Sequence, residues 1–201
     1  NIDSFTYSED EIPASERPEL DRWILSELNT LIKNVDEYYN DYEPTKAGRA
    51  IMDFVDQHLS NWYVRLSRRI FWKGDYTPDK ISAYQTLYTC LDVVARLSSP
   101  IAPFFTERVF VDLNEITGKL PFDSVHLNEF PVANESLIDK DLEEQMELAQ
   151  KISSMVLSLR KKTNIRVRQP LNKIMMPVLN GGFKEKVAAI KQLILSEVNV
   201  K

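Results

Sequence analysis

The chain reads NWYVRLSRRIFWKG over residues 61–74, a stretch that combines arginine, lysine and aromatic residues without any acid. We treat this stretch as a helix that turns by about 100° per residue. The apolar stripe of that helix then consists of Val55, Leu59, Leu66 and Ile70. The flank of the stripe carries Trp62, Arg65, Arg69 and Trp72, and Arg68 faces further out. The pattern predicts one long helix from Pro44 to about Trp72 that packs by a single face.

The flank of this helix allows two interpretations. Guanidinium groups pair bidentately with phosphate, and both guanidinium and indole groups stack on bases, so the flank suits a nucleic acid. Aromatic residues at helical spacing also form cores, and arginines beside them cover apolar surface. The spacing favours a core position for Trp62 and leaves both roles open for Trp72. One candidate patch for nucleic-acid contact consists of Arg65, Arg68, Arg69, Trp72 and Lys73.

Further helices are predicted on both sides of this one. Their expected ranges are 21–40, 79–97, 104–117 and 139–162. The first presents Trp23, Ile24, Leu28, Leu31, Ile32 and Val35 on one face, and the helix over 79–97 presents Tyr84, Leu87, Leu91, Val94 and Ala95. Long helices joined by short breaks rich in proline and glycine are typical of antiparallel neighbours in a bundle.

The sequence pattern changes after residue 165. Residues 166–171 are expected to be extended, because Pro170 keeps Gln169 out of the helical region. A strand over 173–179, a turn at 180–182, a helix over 183–195 and a short strand over 198–200 are predicted to follow. This order resembles the beginning of a small α/β module.

The predicted fold class is therefore mainly α, an antiparallel helix bundle with a small truncated α/β appendage at its C-terminus. Residues 1–19 are expected to be an incoming linker, residues 20–165 the bundle, and residues 166–201 the appendage. The chain begins without methionine, so we expect it to be a piece of a longer protein.

Charge is unevenly distributed along the chain, whose formal net charge is −5. Residues 1–43 contain twelve acids and three basic residues, whereas residues 148–184 contain eight basic residues and no acid. Such asymmetry can focus a positive field on one face of an acidic protein. The best candidates for phosphate contact lie in this basic region and are Arg160, Lys161, Lys162, Arg166 and Arg168.

Several common site types are absent from the sequence. A single cysteine, Cys90, excludes a disulfide framework and a cysteine-rich zinc module. His58 and His126 lack further ligands at metal spacing, and there is no glycine-rich phosphate loop or nucleophile motif. We therefore expect no catalytic residue and no metal site. No apolar run is long enough for a membrane span, so we expect a soluble, cytoplasmic chain without a membrane partner.

Four ordered motifs carry a resemblance to a known family. They are Leu20-Asp21-Arg22-Trp23-Ile24, Asn61-Trp62-Tyr63-Val64-Arg65, Ser99-Pro100-Ile101-Ala102-Pro103-Phe104 and Arg166-Val167-Arg168-Gln169-Pro170-Leu171. Over about residues 20–173 the chain resembles the anticodon-binding domain of class I aminoacyl-tRNA synthetases of the isoleucine, valine and leucine group. It is most similar to the isoleucyl enzymes, because Ser67-Arg68-Arg69 and Phe71-Trp72 follow the second motif.

The resemblance implies a role in binding the anticodon stem and loop of an isoleucine-accepting tRNA. It also implies a parent ligase that uses ATP with magnesium, whose catalytic and editing sites lie outside this chain, so we expect no cofactor here. The expected partners are tRNA and the missing catalytic domain of the same chain, and we expect a monomer. The alternatives are the same domain of a valyl or leucyl enzyme, or a helical protein-interaction module without a nucleic-acid role.

Overall fold

The computed structural model describes residues 3, 5–72, 75–177 and 181–201, and helices dominate them. The α-helices are α1 Glu19–Asn40, α2 Pro44–Asp53, α3 Arg68–Trp72, α4 Pro78–Ser98, α5 Pro103–Thr117, α6 Lys140–Lys162, α7 Gly181–Ala189 and α8 Lys191–Glu197. A π-helical segment, Phe54–Val64, continues α2 directly. Short 3-10 turns lie at Ala14–Glu16, Val125–Leu127 and Glu135–Leu137. The described residues form no strand, and the mainly α fold class is confirmed.

The chain divides into two compact units. The N-terminal unit is Asn1–Ile138 and the C-terminal unit is Asp139–Lys201. In the N-terminal unit α1 contacts α2, the π segment and α4, and α4 contacts α5. In the C-terminal unit α6 contacts both α7 and α8. The domain boundaries expected from the sequence, 1–19, 20–165 and 166–201, stay predictions.

Helix α1 forms as its sequence predicts. Glu19 and Asp21 lie in its first turn, where acids interact favourably with the positive end of the helix dipole. The predicted apolar face is buried throughout: Trp23, Ile24, Leu28, Leu31, Ile32 and Val35. This face forms the centre of the N-terminal core, and burial of so many large apolar side chains provides most of the stabilisation.

The long helix predicted from Pro44 to Trp72 is interrupted, which changes the face that it buries. Residues 54–64 are π-helical, with i→i+5 hydrogen bonds, and Ser67 forms a turn before α3. The 100° spacing therefore fails beyond α2. The buried residues are Phe54, Leu59, Trp62, Tyr63, Ser67 and Phe71. Leu66 is only half-buried and Ile70 is exposed, so the predicted stripe is wrong in its second half.

Helix α4 buries a different face from the predicted one. Its buried positions include the polar residues Ser82, Gln85 and Thr86, whereas Leu91 and Val94 are half-buried. Polar side chains are tolerated inside because they are hydrogen-bonded. Ser82 donates to the Asp21 carboxylate at 2.5 Å, Tyr63 donates to the same carboxylate at 2.7 Å, and Thr86 accepts from Arg17 at 2.8 Å. Leu91 and Val94 instead line an apolar groove of about 770 Å³ between α2, the π segment, α4 and α5.

The segment before α1 packs on α4. Phe5 stacks on Tyr84 with a centroid distance of 5.0 Å, and Tyr7 meets Tyr88 edge-on at 5.1 Å. The Lys80 ammonium, which is buried, pairs with Asp3 at 2.8 Å. These residues belong to the N-terminal core, and the expected role of residues 1–19 as a linker stays a prediction.

The C-terminal unit contains less β-structure than predicted. Residues 173–177, the described part of the predicted strand 173–179, form no strand, and the helix predicted over 183–195 is divided into α7 and α8. Gly181 and Gly182 begin α7 instead of a turn, while residues 178–180 lie outside the described chain. One parallel bridge, Leu171 to Val200, joins the two predicted extended segments. The α/β character of the appendage is therefore unconfirmed.

Among the residues described, no helix combines the length and the apolar character needed to cross a bilayer.

Candidate nucleic-acid interface

The basic end of α6 is formed by a defined helix stop. The N–H of Ile165 donates to the carbonyl of Arg160 at 2.9 Å, and the N–H of Asn164 donates to that of Lys161 at 3.2 Å. Asn164 has φ 56°, the left-handed conformation that asparagine tolerates after a helix. Together these features form a Schellman motif, which turns the chain away from the helix axis. The residues that follow therefore project beside the last turn of α6.

Residues 166–169 form a turn, so the prediction of an extended segment is wrong here. The N–H of Gln169 donates to the carbonyl of Arg166 at 3.0 Å, which closes the turn. The side-chain amide of Asn199 also donates to the carbonyl of Val167 at 2.9 Å. Pro170 constrains Gln169, but this constraint does not extend three residues back along the chain. The turn leaves the side chains of Arg166 and Arg168 exposed.

Arg160 is placed inside the C-terminal unit and not on its surface. The residue is 2% exposed, and its guanidinium donates to four backbone carbonyls. The acceptors are Arg166 at 3.1 Å, Gln169 at 3.0 Å, Val198 at 2.9 Å and Asn199 at 3.1 Å. A guanidinium with this many internal acceptors has little capacity left for a phosphate. The structure therefore gives Arg160 a structural position, and we remove it from the candidate contacts.

The remaining cations of this region are exposed. We call Lys161, Lys162, Arg166 and Arg168 the turn patch. Within the described chain none of these four pairs with an acid, whereas Lys151 of the same basic region pairs with Glu147 at 2.6 Å. Lys173 and Lys184 are exposed as well. The turn patch thus presents four positive charges that no neighbouring carboxylate neutralises.

The second candidate surface lies on α3 in the N-terminal unit. Phe71 is buried and packs against Tyr84 with a centroid distance of 5.4 Å. Anchoring of this ring turns Arg68, Arg69 and Trp72 outward, and the Trp72 side chain is 66% exposed. We call Arg65, Arg68, Arg69 and Trp72 the helix patch. It combines guanidinium groups with one accessible indole ring.

Arg65 and Lys73 differ from the other members of the predicted patch. Arg65 is held against its own helix, since its Nε donates to the carbonyl of Asn61 at 2.8 Å and its guanidinium lies 5.5 Å from the centroid of Trp62. Trp62 is 4% exposed, which confirms the core position favoured for it. Lys73 lies outside the described residues.

Comparison with known proteins gives one family and a consistent set of relatives. Residues 21–175 match the model of the anticodon-binding domain of tRNA ligases. The chain belongs to this family. It is 60% identical over 201 residues to an isoleucine–tRNA ligase of Bacteroides fragilis, 56% identical to that of Cytophaga hutchinsonii and 48% identical to that of Dehalococcoides mccartyi. Each alignment covers the whole of this chain, which spans 18 to 20% of the length of these relatives.

The family match covers both patches of the anticodon-binding domain. The helix patch and the turn patch lie within residues 21–175, whereas Val198 and Asn199, which accept from Arg160, lie beyond that range. The resemblance inferred from four sequence motifs is thereby confirmed. The positions of individual tRNA contacts stay a prediction.

Buried reactive groups of the anticodon-binding domain have structural surroundings. Cys90 is fully buried, and burial raises the pKa of its thiol, which opposes formation of a nucleophilic thiolate. Burial also raises the pKa of Asp21, against the hydrogen bonds from Ser82 and Tyr63 that lower it. The Asp21 carboxylate joins α1 to α4 and to the π segment through these two hydrogen bonds.

Sequence reasoning missed the two asparagines that shape the turn patch. Asn164 and Asn199 both adopt positive φ, at 56° and 52°. Asn164 lies two residues after Lys162, which ends the basic last turn of a predicted helix, and this is a recognisable position for a C-terminal cap. Asn199 had no such local signal, because its contact with Val167 spans 32 residues.

Proposed function

We propose that this chain binds the anticodon stem and loop of an isoleucine-accepting tRNA as a domain of an isoleucine–tRNA ligase. The observation that carries the proposal is the turn patch, whose four exposed cations cluster at one helix end without an acid partner. Clustered cations of this kind suit phosphates of a nucleic acid backbone. Membership of the anticodon-binding family and the names of the relatives support the choice of tRNA as that nucleic acid.

In this proposal the turn patch positions the RNA by its backbone. Arg166 and Arg168 present guanidinium forks that can bind phosphate bidentately, and Lys161 and Lys162 add point charges beside them. Such contacts fix orientation but do not read sequence. Bases of a single-stranded loop can be splayed and stacked on protein rings, and Trp72 of the helix patch has an exposed ring for this purpose. The helix patch faces either the tRNA or the catalytic domain of the parent enzyme.

The activity of the parent enzyme is part of the same proposal. The relatives are named isoleucine–tRNA ligases, and this chain spans 18% of the first of them. We assign to the parent the joining of isoleucine to its tRNA with ATP and magnesium, in a catalytic domain outside this chain. We propose that the parent is a cytoplasmic monomer. This chain then contributes tRNA affinity and orientation and no chemical step.

The test is tRNA binding by the 201-residue chain at several salt concentrations. If the turn patch neutralises phosphates, the logarithm of the association constant should fall linearly with the logarithm of the salt concentration, by about 0.7–0.9 per phosphate contact. An isoleucine-accepting tRNA and the same tRNA with a replaced anticodon separate backbone binding from loop recognition. Replacement of Arg108 by alanine is a matched control for alanine replacement of a turn-patch arginine. Arg108 is an exposed arginine of α5 that pairs with Asp112 at 2.7 Å.

Two results would contradict the proposal. No retention of tRNA at low salt would remove the RNA-binding role from this chain. A slope near zero would show that any binding does not depend on phosphate neutralisation. Either result would favour the alternative of a protein-interaction module, for which the apolar groove beside α5 is the supporting feature.

A further inference from the structure

The turn patch depends on a buried cation that does not itself reach the surface. Arg160 lies in the last turn of α6, where a positive charge interacts favourably with the negative end of the helix dipole. Within the described chain no carboxylate pairs with its guanidinium, which donates instead to four backbone carbonyls. A charge buried in this way is stabilised only while those carbonyls stay in place.

The four carbonyls come from two separate segments. One Nη atom donates to Arg166 and Gln169, the first and last residues of the turn, and the other donates to Val198 and Asn199. The guanidinium therefore joins the turn to the segment that follows α8. The side chain of Asn199 adds a further hydrogen bond from the same segment to Val167, inside the turn.

We propose that Arg160 is a positioning residue, which holds the Arg166–Gln169 turn so that Arg166 and Arg168 are presented together to phosphates of the tRNA. This inference rests on the proposed function. Neither guanidinium is fixed by an acid, so the backbone of the turn is what sets their separation and direction. A pre-set turn loses less conformational entropy when RNA binds, which increases affinity without any new contact.

The first experiment separates positioning from direct contact by a double-mutant cycle. Arg160→Lys keeps the net charge but cannot present the planar fork that reaches four carbonyls. We expect its tRNA affinity to fall about as far as that of the double variant Arg166→Ala with Arg168→Ala. The triple variant should bind no more weakly than the double variant, because Arg160 acts only through those two arginines. Additive losses in the triple variant would overturn the proposal.

The matched control is Arg108→Lys. It makes the same substitution at an exposed, ion-paired position of α5. Its tRNA affinity and salt slope should equal those of the unaltered chain. A fall as large as that of Arg160→Lys would show that loss of any guanidinium weakens binding, and the positioning role would be rejected.

The second experiment does not need tRNA. Amide hydrogen exchange at Gln169 reports the hydrogen bond that closes the turn. Arg160→Lys should increase this exchange rate several-fold while the amides in the middle of α6 stay protected. An unchanged rate at Gln169 would overturn the positioning role even if tRNA binds. Faster exchange in a chain that does not bind tRNA would instead reject the proposed function and leave the hold on the turn established.

A gentler variant covers the case in which Arg160→Lys unfolds the C-terminal unit. Asn199→Gly removes the hydrogen bond to Val167, and glycine adopts the φ of 52° at this position without strain. We expect faster exchange at Gln169 and a smaller loss of tRNA affinity than in the Arg166 and Arg168 double variant. Faster exchange at Gln169 with unchanged tRNA affinity would then reject the proposal, because the order of the turn would not govern how Arg166 and Arg168 bind tRNA.

Discussion

The two units of the chain both expose arginines, but they hold them by different means. In the N-terminal unit the helix patch depends on packing, since the buried Phe71 ring turns Arg68 and Arg69 outward from α3. In the C-terminal unit the turn patch depends on polar contacts, since Arg160 holds a turn through four carbonyls. The difference shows that residues with the same charge in the same kind of basic run can lie exposed on the surface or serve as internal supports.

The largest expected effect is a loss of stability in the N-terminal unit, whose helix patch depends on packing. Phe71→Ala should lower the free energy of unfolding of the N-terminal unit by about 3–5 kcal/mol, the usual cost of truncating a buried phenylalanine. Arg69→Ala should change it by less than about 0.5 kcal/mol, because Arg69 is exposed. Chemical denaturation followed by circular dichroism measures both. Equal losses in the two variants would mean that Arg69 contributes to the core and is not available for RNA.

For the C-terminal unit, whose turn patch depends on polar contacts, we expect a slightly smaller loss of stability. Arg160→Ala should destabilise the C-terminal unit by about 2–4 kcal/mol, since each buried acceptor left without a partner costs about 1–3 kcal/mol and water can compensate some of them. Arg168→Ala, on the exposed side of the same turn, should change stability by less than about 0.5 kcal/mol. Hydrogen exchange of the α6 and α8 amides reports this unit separately. If Arg160→Ala left those amides fully protected, the hydrogen bonds of Arg160 would contribute little to stability.

The N-terminal unit contains one helix that periodicity predicted correctly and one that it did not. Periodicity predicted α1 and its buried face correctly, because that helix has regular α geometry and one apolar face. The same rule failed for Leu66 and Ile70, since the π segment before them changes the number of residues per turn. No local pattern in the sequence predicts the change from α-helical to π-helical geometry.

The candidate sites show the same limit. Arg166 and Arg168 were predicted as phosphate contacts because they lie in an acid-free cluster after a helix, and the structure places both on the surface. Arg160 has the same side chain and the same acid-free surroundings, yet its position was predicted wrongly. Its acceptors at Val198 and Asn199 lie 38 and 39 residues away, and contacts at that separation are not visible in a pattern of neighbours.

A third prediction compares the two patches as RNA-binding surfaces. Replacement of both Arg166 and Arg168 by alanine should reduce the salt slope of tRNA binding by about one or two units, because each neutralises about one phosphate. Replacement of both Arg68 and Arg69 should reduce it less, if the helix patch faces the catalytic domain. Binding titrations at four salt concentrations measure the slopes, and thermal melts show that both variants fold. Equal reductions would assign phosphate contact to both patches.

The smallest expected effect concerns pH and the one buried carboxyl group that joins α1 to α4. Burial raises the pKa of Asp21 above its unfolded value, so the folded state holds the proton more tightly than the unfolded state does. Stability of the N-terminal unit should therefore increase as the pH falls through the folded pKa, and the cost of the buried charge should be fully present above it. Among the described residues of the C-terminal unit no carboxyl group is buried, so that unit has no equivalent of Asp21.

Asp21→Asn tests this difference between the units. Ser82 and Tyr63 donate to separate oxygens of the Asp21 carboxylate, at 2.5 and 2.7 Å. The variant removes the titrating group, and its single amide oxygen can accept from only one of these two hydroxyl groups. Between about pH 7 and pH 4 the unaltered chain should gain stability relative to Asp21→Asn, because only the unaltered chain can take up the extra proton on folding. Denaturation curves for both chains across this range give the difference. If the two curves shift in parallel, Asp21 carries no folding-linked proton, and the internal polar supports of the two units would respond to pH alike.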